Sequence, residues 1–318
     1  MNNSKIKDLN KEILEFKIPY RKDLKFASKD TFGCEIEFYD ADYSSISQTL
    51  KSLKKKNQMF CWDLDRDETV YIPSKTDFLK GKGGELISPI LFTENHTFDE
   101  MITACNLIKS NKGTINYKTA GHIHAGGQMF ESKEKIDNFL LLWSIFEDVI
   151  ERFFCGEFLE NSYLEEKAHS CRDNFKEASY DKYNLSKIRL DKHMQNENKI
   201  HQKAWAVSFY YFYCYDFEPK NTIEFRKISG TLEPAIWQNN CYFLSKFASL
   251  SNKISKKELN YIKTKFDYSN KDSIDIKKAI FLSDLMFETD LDKLCFLKQY
   301  IKDFHIEKTR NKTIKLVR

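Results

Sequence analysis

Glycine and proline are scarce in this chain. Its 318 residues contain 10 glycines and 5 prolines, whereas average usage of about 7% and 5% would give about 22 and 16. This scarcity excludes a collagen-like repeat and a chain rich in glycine and proline without fixed structure. Because glycine lets the backbone turn sharply or approach a ligand closely, its positions are informative. Eight of the ten glycines flank four short segments that also carry glutamate or histidine, at residues 33–38, 81–85, 121–127 and 222–230.

Long apolar runs and paired cysteines are also missing. No stretch approaches the ~18 apolar residues of a membrane span, and residues 1–18 alternate charges where a secretory signal would have an apolar segment. The eight cysteines contain no C-x-x-C spacing, which favours reduced core residues over zinc ligands or disulfides. The sequence therefore predicts a soluble, cytoplasmic protein without a membrane partner.

The net charge is small but unevenly distributed. The chain has 51 Lys and Arg against 47 Asp and Glu, a formal charge of +4, which does not predict nucleic-acid binding. Residues 251–318 hold 16 basic and 10 acidic residues. A solvated helical surface is the favoured explanation of this basic extension. It is also a candidate surface for a homo-oligomer or a protein partner.

The hydrophobic pattern predicts an α+β protein. Strict alternation over residues 31–39 indicates a strand with one apolar face, and capping boxes at Thr97–Glu100 and Ser255–Glu258 indicate helix starts. Strands and helices do not alternate regularly, which favours an antiparallel sheet. We expect a lead-in over 1–25, a catalytic domain over 26–250 and a helical extension over 251–318. Further strands are predicted over 60–72, 85–91, 115–129, 205–215 and 222–229, and helices over 5–16, 97–110, 133–154, 234–250 and from 256 onward.

Three of the predicted strands each carry two polar side chains at positions i and i+2. Such residues point to the same face of a strand, about 6.8 Å apart. If these strands share one sheet, a single face gathers carboxylates, imidazoles and a guanidinium, and Glu85 beside Gly83 and Gly84 adds another carboxylate. The pairs are Glu35 and Glu37, His122 and His124, and Glu224 and Arg226.

This combination of side chains indicates metal-dependent chemistry on a phosphate. Like charges on a sheltered face repel one another, and a divalent cation removes that cost. Ligation by several carboxylates and a minority of imidazoles suits Mg²⁺ or Mn²⁺. An arginine beside them fits a phosphoryl group, because the guanidinium fork matches phosphate oxygens.

The polar pairs lie in a series of short motifs that resembles the amidoligase family. This family consists of carboxylate–amine ligases with the glutamine synthetase and glutamate–cysteine ligase fold. The resemblance covers about residues 30–250, in motif order as well as content. It implies a curved, mostly antiparallel sheet that holds ATP and Mg²⁺ on its concave face, with helices behind. The motifs are FGCEIEF (32–38), WDLDRDET (62–69), GGELISPI (83–90), GHIHAGG (121–127) and TIEFRKISGTL (222–232).

The resemblance also implies a reaction and a role for each matching residue. In such enzymes ATP phosphorylates a carboxylate, and an amine then displaces phosphate to give an amide. Arg226 would brace the transferring phosphoryl group, Asp67 would orient the amine or the carboxylate, and His124 would contact nucleotide phosphate. The metal ligands would be Glu35, Glu37, Glu85, His122 and Glu224. Glu35 would in addition be a catalytic residue.

Further expected contacts concern the nucleotide. Gly83, Gly84 and Gly121 would let the backbone approach ATP, and Lys203 and Arg172 are candidate anion contacts. The chain departs from the family pattern at two positions, Thr69 where serine is common and Ser208 where asparagine is usual.

Three other functions remain open at this point. The glutamate and histidine cluster suits a metal-dependent hydrolase that activates water, although Arg226 argues against it. Phosphoryl transfer to a guanidino group is a second possibility within the same fold. The third is a binding module that has kept the fold without catalysis.

Overall fold

The computed structural model consists of one antiparallel sheet with helices. It describes residues 13, 15–56, 61–67, 70, 83–115, 119–154, 207–208, 221–266 and 276–301. The strands in these ranges are β1 (Thr31–Tyr39), β2 (Asp63–Asp65), β3 (Gly83–Ile87), β4 (Leu91–Phe92), β5 (Ala120–Gly126), β6 (Val207–Ser208) and β7 (Thr222–Ser229). The helices there are α1 (Tyr43–Lys56), α2 (Asn95–Ser110), α3 (Lys133–Phe154), α4 (Pro234–Lys253), α5 (Lys256–Lys265), α6 (Ile276–Met286) and α7 (Asp290–Ile301).

The strands form a single open sheet in the order β2-β3-β1-β5-β7-β6, with β4 paired to the start of β1. Every pairing between these strands is antiparallel. The predicted α+β class with a mostly antiparallel sheet is therefore confirmed. β1 lies between β3 and β5, so its side chains are flanked by strands on both sides.

One face of the sheet is apolar and covered by helices. The alternate residues Phe32, Cys34, Ile36 and Phe38 of β1 are buried, as predicted from their period of two. From helix α3, Trp143 packs on Phe225 of β7 with ring centroids 5.4 Å apart. Burial of this face against α3 and α4 leaves the polar residues of the same strands on the opposite face.

Helix α2 begins three residues earlier than the capping box predicts. Its first residue is Asn95, the N-cap is Glu94, and no side chain caps it. The prediction of a start at Thr97 is thus wrong, and the Glu100 carboxylate that would complete the box accepts a hydrogen bond from the Trp62 indole (Nε1–Oε2 3.0 Å). The box at Ser255–Glu258 is confirmed, with both reciprocal hydrogen bonds present.

Two predicted strands are shorter in the structure. In the described part of 60–72 only Asp63–Asp65 is extended. The strand predicted over 115–129 runs from Ala120 to Gly126 and is followed by a single 3₁₀ turn, Gly127–Met129. The Phe130 N–H closes this turn by donating to the Gly127 carbonyl at 3.1 Å, and the Gly127 N–H donates to the Asn221 carbonyl at 2.6 Å, next to the last β5–β7 pair. Most of 5–16 and 205–215, and all of 157–201, lie outside the described residues.

The C-terminal helices pack on α3 and on the lead-in. Helices α5, α6 and α7 confirm the helical prediction for the described part of 251–318. The Lys278 ammonium on α6 pairs with Asp148 on α3 at 2.6 Å, and both side chains are buried. Arg21 of the lead-in pairs with Asp292 on α7. Among the described residues, no helix has the length and apolar character needed to cross a membrane.

Candidate functional site

The strand register brings the predicted polar pairs onto one face of the sheet. Glu35 on β1 lies opposite His122 on β5, and His124 lies opposite Glu224 on β7. Directly opposed residues of an antiparallel pair project to the same side. The three i, i+2 pairs thus occupy the face opposite the helices, and we call this surface the site face.

Glu35 connects the two histidines at the centre of the site face. Its Oε2 lies 2.8 Å from His122 Nδ1, and its Oε1 lies 3.1 Å from His124 Nε2. Burial disfavours the charged form of Glu35, but the hydrogen bonds from His122 and His124 outweigh it and hold its pKa well below the usual range. Burial likewise opposes charge on His122, yet its hydrogen bond to Glu35 leaves the pKa of His122 raised.

Glu224 and Arg226 form an incompletely satisfied pair beside this cluster. An Nη of Arg226 donates to Glu224 Oε1, and the Glu224 side chain is only 2% exposed. Within the part of the chain that the structure describes, Glu224 Oε2 and Arg226 Nε are buried without a hydrogen-bond partner. Because a buried polar atom without a partner costs about 1–3 kcal/mol, these two atoms are candidates for contact with a polar ligand.

Three residues of the site face lie close enough together to hold a metal ion. Glu35, His124 and Glu224 each offer one ligand atom, and these atoms lie within 4.8 Å of one another. No other such group of three occurs among the residues that the structure describes. Two carboxylates and one imidazole suit Mg²⁺ or Mn²⁺, and the unpartnered Oε2 of Glu224 gives the group a spare ligand atom.

The other two predicted carboxylates lie next to each other across β1 and β3. Glu37 is opposite Glu85, and Asp65 on β2 is opposite Glu85 as well. Glu37 is almost completely buried and accepts the Ala120 N–H at 2.6 Å. Burial, followed by the negative charges of Glu35 and Asp67, raises the pKa of Glu85 to about 7. This end of the site face therefore attracts cations or protons.

The geometry can now be compared with known proteins. A family model described as "Putative amidoligase enzyme" matches residues 28–248, which is more than half of the chain. The chain belongs to this amidoligase family. No curated protein gives a significant match to the sequence. The family indicates an enzyme that forms amide bonds, and the site face lies within the matched residues.

Packing inside the protein accounts for three glycines that we expected to border the nucleotide in this amidoligase family member. A Cβ at Gly121 would lie 2.4 Å from Trp237 Cη2 on α4. Gly121 therefore allows helix packing behind the sheet, and its expected contact with the nucleotide stays a prediction. A Cβ at Gly84 would lie 2.4 Å from the Asp65 carbonyl oxygen, and Gly83 has a positive φ of 139°. Strand packing explains these two glycines, and their nucleotide contacts stay predictions.

The remaining predicted residues are located only in part. Asp67 lies close enough to Glu85 to raise the pKa of that carboxyl, and Ser208 pairs with Glu224 across β6 and β7. Lys203, Arg172 and Thr69 lie outside the described residues.

Sequence reasoning missed two contacts at the site face. The Thr222 hydroxyl lies 3.5 Å from His124 Nδ1, and the Ala120 N–H holds Glu37. Thr222 is two residues before Glu224, so the same i, i+2 rule that selected Glu224 and Arg226 gives its face. The contact of Ala120 with Glu37 is made by a backbone N–H, so no pattern of side chains in the sequence predicts it.

Replacing Gly121 by alanine is expected to destabilise the protein by about 1–3 kcal/mol, because the new methyl group overpacks Trp237. Urea unfolding at equilibrium measures this difference. Gly33→Ala on β1 is the matched control, because its Cβ would only touch His124 Cβ at an ordinary 3.5 Å. Equal unfolding free energies for the two variants would contradict the packing role of Gly121.

Glu85 should make the stability of the metal-free protein depend on pH. Below its ordinary pKa of 4.5 the carboxyl is protonated in the folded and the unfolded chain, so it contributes no difference. Between pH 4.5 and about 7 the unfolded chain releases this proton while the folded chain keeps it, so the stability falls across that range and levels off above about pH 7. Because Glu85 is partly exposed, we expect Glu85→Gln to gain about 1 kcal/mol over the wild type at pH 8 and nothing at pH 4.

Urea unfolding in a chelator at pH 4, 6 and 8 measures this effect. The exposed Glu134 on α3 provides the control variant Glu134→Gln, for which no pH-dependent gain is expected. A Glu85→Gln gain that is the same at pH 4 and pH 8 would contradict the burial of charge at this position.

Proposed function

We propose that the protein is an ATP- and Mg²⁺-dependent carboxylate–amine ligase that forms an amide or peptide bond through an acyl phosphate. The observation that supports this most strongly is the site face itself. A group of potential metal ligands lies beside Arg226, whose buried Nε has no hydrogen-bond partner among the described residues. The glutamine synthetase-like fold, with a concave nucleotide-binding surface, belongs to the same proposal.

In this proposal Glu35, His124 and Glu224 hold a divalent cation, Mg²⁺ or Mn²⁺. The resemblance assigns the metal to His122 and the nucleotide phosphate to His124. The ligand-atom distances favour His124 as the metal ligand, because His124, Glu35 and Glu224 each offer one atom within 4.8 Å of the others. The cation supplies neutralisation of negative charge on the phosphates of ATP. Glu37 and Glu85 are candidate ligands of a second cation.

The protein residues would act on the two halves of the reaction. An oxygen of the substrate carboxylate attacks the γ-phosphorus of ATP, the bond to the β-phosphate oxygen breaks, and ADP leaves. Arg226 would donate hydrogen bonds to the oxygens of the moving phosphoryl group, with Nε as the spare donor. The amine then attacks the acyl carbon, loses a proton, and the carbon–oxygen bond to phosphate breaks. Asp67 would orient the amine for this second attack.

A screen for ADP release tests the proposed function. The protein is incubated with ATP and Mg²⁺ and with pools of amino acids, small amines and peptides, and products are identified by mass spectrometry. We expect ADP only when a pool supplies both a carboxylate and an amine, together with a product lighter by one water than its two substrates combined. The small-molecule or peptide substrates would be identified from that product.

The alternatives give different outcomes in the same screen. Turnover with metal but without ATP would favour the hydrolase. A stable N-phosphorylated product without an amide would favour guanidino phosphotransfer. If Mg²⁺ and ATP neither release ADP nor raise the melting temperature, the binding module becomes the better description.

A further inference from the structure

Strand β7 contains a bulge at the position where it supplies Arg226. Ile123 of β5 pairs with Phe225, and Gly121 pairs with Ile228. One residue of β5, His122, therefore faces two residues of β7, Arg226 and Lys227. Such a bulge interrupts the regular alternation and redirects side chains, and bulges are common next to active sites. The direction of Arg226 thus depends on how this bulge is held.

Lys227 connects the bulge to the helix layer. Its ammonium donates to a carboxylate oxygen of Glu151 on α3, the helix that packs Trp143 against Phe225. The Lys227 side chain is 10% exposed and that of Glu151 is 31% exposed. The two neighbouring residues of the bulge therefore point to opposite sides of the sheet. Lys227 contacts the helices, whereas Arg226 pairs with Glu224 on the site face.

We propose that Lys227 is a positioning residue that holds the β7 bulge through Glu151 and thereby directs the guanidinium of Arg226 toward the ligand. This inference rests on the proposed function for its effect on turnover, because Arg226 is the residue that would contact the phosphoryl group. The proposed role of Lys227 concerns the orientation of Arg226 and does not depend on which substrate the site binds.

The physical basis is the cost of a buried charge. A largely buried ammonium is stable only when it is paired, and removal of one partner from such a pair is destabilising. The pair with Glu151 therefore restricts where the backbone at Lys227 can lie. The covalent chain transmits that restriction to the adjacent Arg226. A displacement of about 1 Å in a catalytic group can lower the rate about 100-fold.

The main experiment is a double-mutant cycle with Lys227→Met and Arg226→Ala, measured as ADP release with the substrate pair found in the screen. In the wild-type background, Lys227→Met should lower kcat about 10- to 100-fold with the KM for ATP nearly unchanged. In the Arg226→Ala background, Lys227→Met should lower kcat less than about twofold, because the guanidinium that Lys227 is proposed to orient is no longer present. An equal loss in both backgrounds would overturn the proposal, and so would a normal kcat in Lys227→Met.

Two further variants separate positioning from general stability. Lys278→Met breaks the other buried lysine pair of α3, with Asp148, and should lower stability without changing kcat. Lys227→Arg keeps the charge and should stay within about threefold of wild-type kcat. If Lys227→Met does not fold, Lys227→Arg and Glu151→Gln carry the test, and a normal kcat for Glu151→Gln would overturn the proposal.

A spectroscopic readout distinguishes failure of this inference from failure of the proposed function. The Nε–H signal of Arg226, assigned by its absence in Arg226→Lys, should shift in Lys227→Met and remain unchanged in Lys278→Met. A shift in a protein that releases no ADP with any pool would support the positioning role and reject the ligase. An unchanged signal in a protein that does release ADP would reject the positioning role and leave the ligase standing.

Discussion

Glu224→Gln is expected to lower ADP release about 1,000-fold or more while the protein stays folded. Glu224 is at once a member of the metal-ligand group and the partner of Arg226. Glutamine keeps the volume and an acceptor oxygen for Arg226, but it loses the negative charge that attracts a divalent cation. We therefore expect the free energy of unfolding to change by about 1 kcal/mol, whereas transition-state stabilisation is largely lost.

Two measurements on the purified variant check this expectation. We expect Mg²⁺ with ATP to raise the melting temperature of the wild type but not that of Glu224→Gln, because a ligand that does not bind cannot stabilise the folded state. Glu134→Gln on the exposed side of α3 should behave as wild type in both assays. Near-normal ADP release by Glu224→Gln would contradict the site assignment.

Arg226→Lys is expected to lower kcat about 100- to 1,000-fold with little change in the KM for ATP. Lysine keeps the positive charge but has neither the planar fork nor a donor at the position of Nε. The unpartnered Nε of Arg226 is available to a group that carries more negative charge in the transition state than in bound ATP. A loss confined to kcat is the signature of such an interaction.

Arg152→Lys is the matched control for this experiment. Arg152 is a partly buried arginine of α3 that donates to the carbonyl oxygens of Tyr300 and Ile301, away from the site face. Its replacement should lower stability and leave kcat within about twofold of the wild type. A rise in the KM for ATP with unchanged kcat in Arg226→Lys would assign Arg226 to ground-state binding of the nucleotide.

The sequence predicted which residues share the site face, because the alternation of side chains along a strand is a local property. Alternation along β1 separates Glu35 and Glu37 from the buried Cys34 and Ile36, and an i, i+2 spacing fixes a common face in any extended strand. The same rule places His122 with His124. Antiparallel pairing was also predictable, since the elements do not follow the regular alternation of a parallel fold.

Other features depend on neighbours that the sequence does not specify. The register that sets Glu37 opposite Glu85 joins strands far apart in the chain. The face on which Gly121 packs is decided by Trp237 of α4. The bulge at Arg226 and Lys227 appears only when β5 and β7 are paired. Register and bulges depend on side-chain packing between strands, and no single segment carries that information.

Transfer of an oxygen atom tests the central claim most directly. The substrate carboxylate of the productive pair is labelled with ¹⁸O, and the phosphate released with ADP is analysed by mass spectrometry. An acyl phosphate predicts one labelled oxygen in each phosphate, because that oxygen attacks the γ-phosphorus and leaves with it when the amine attacks the acyl carbon. Phosphate without label, formed together with ADP and the amide, would contradict the account.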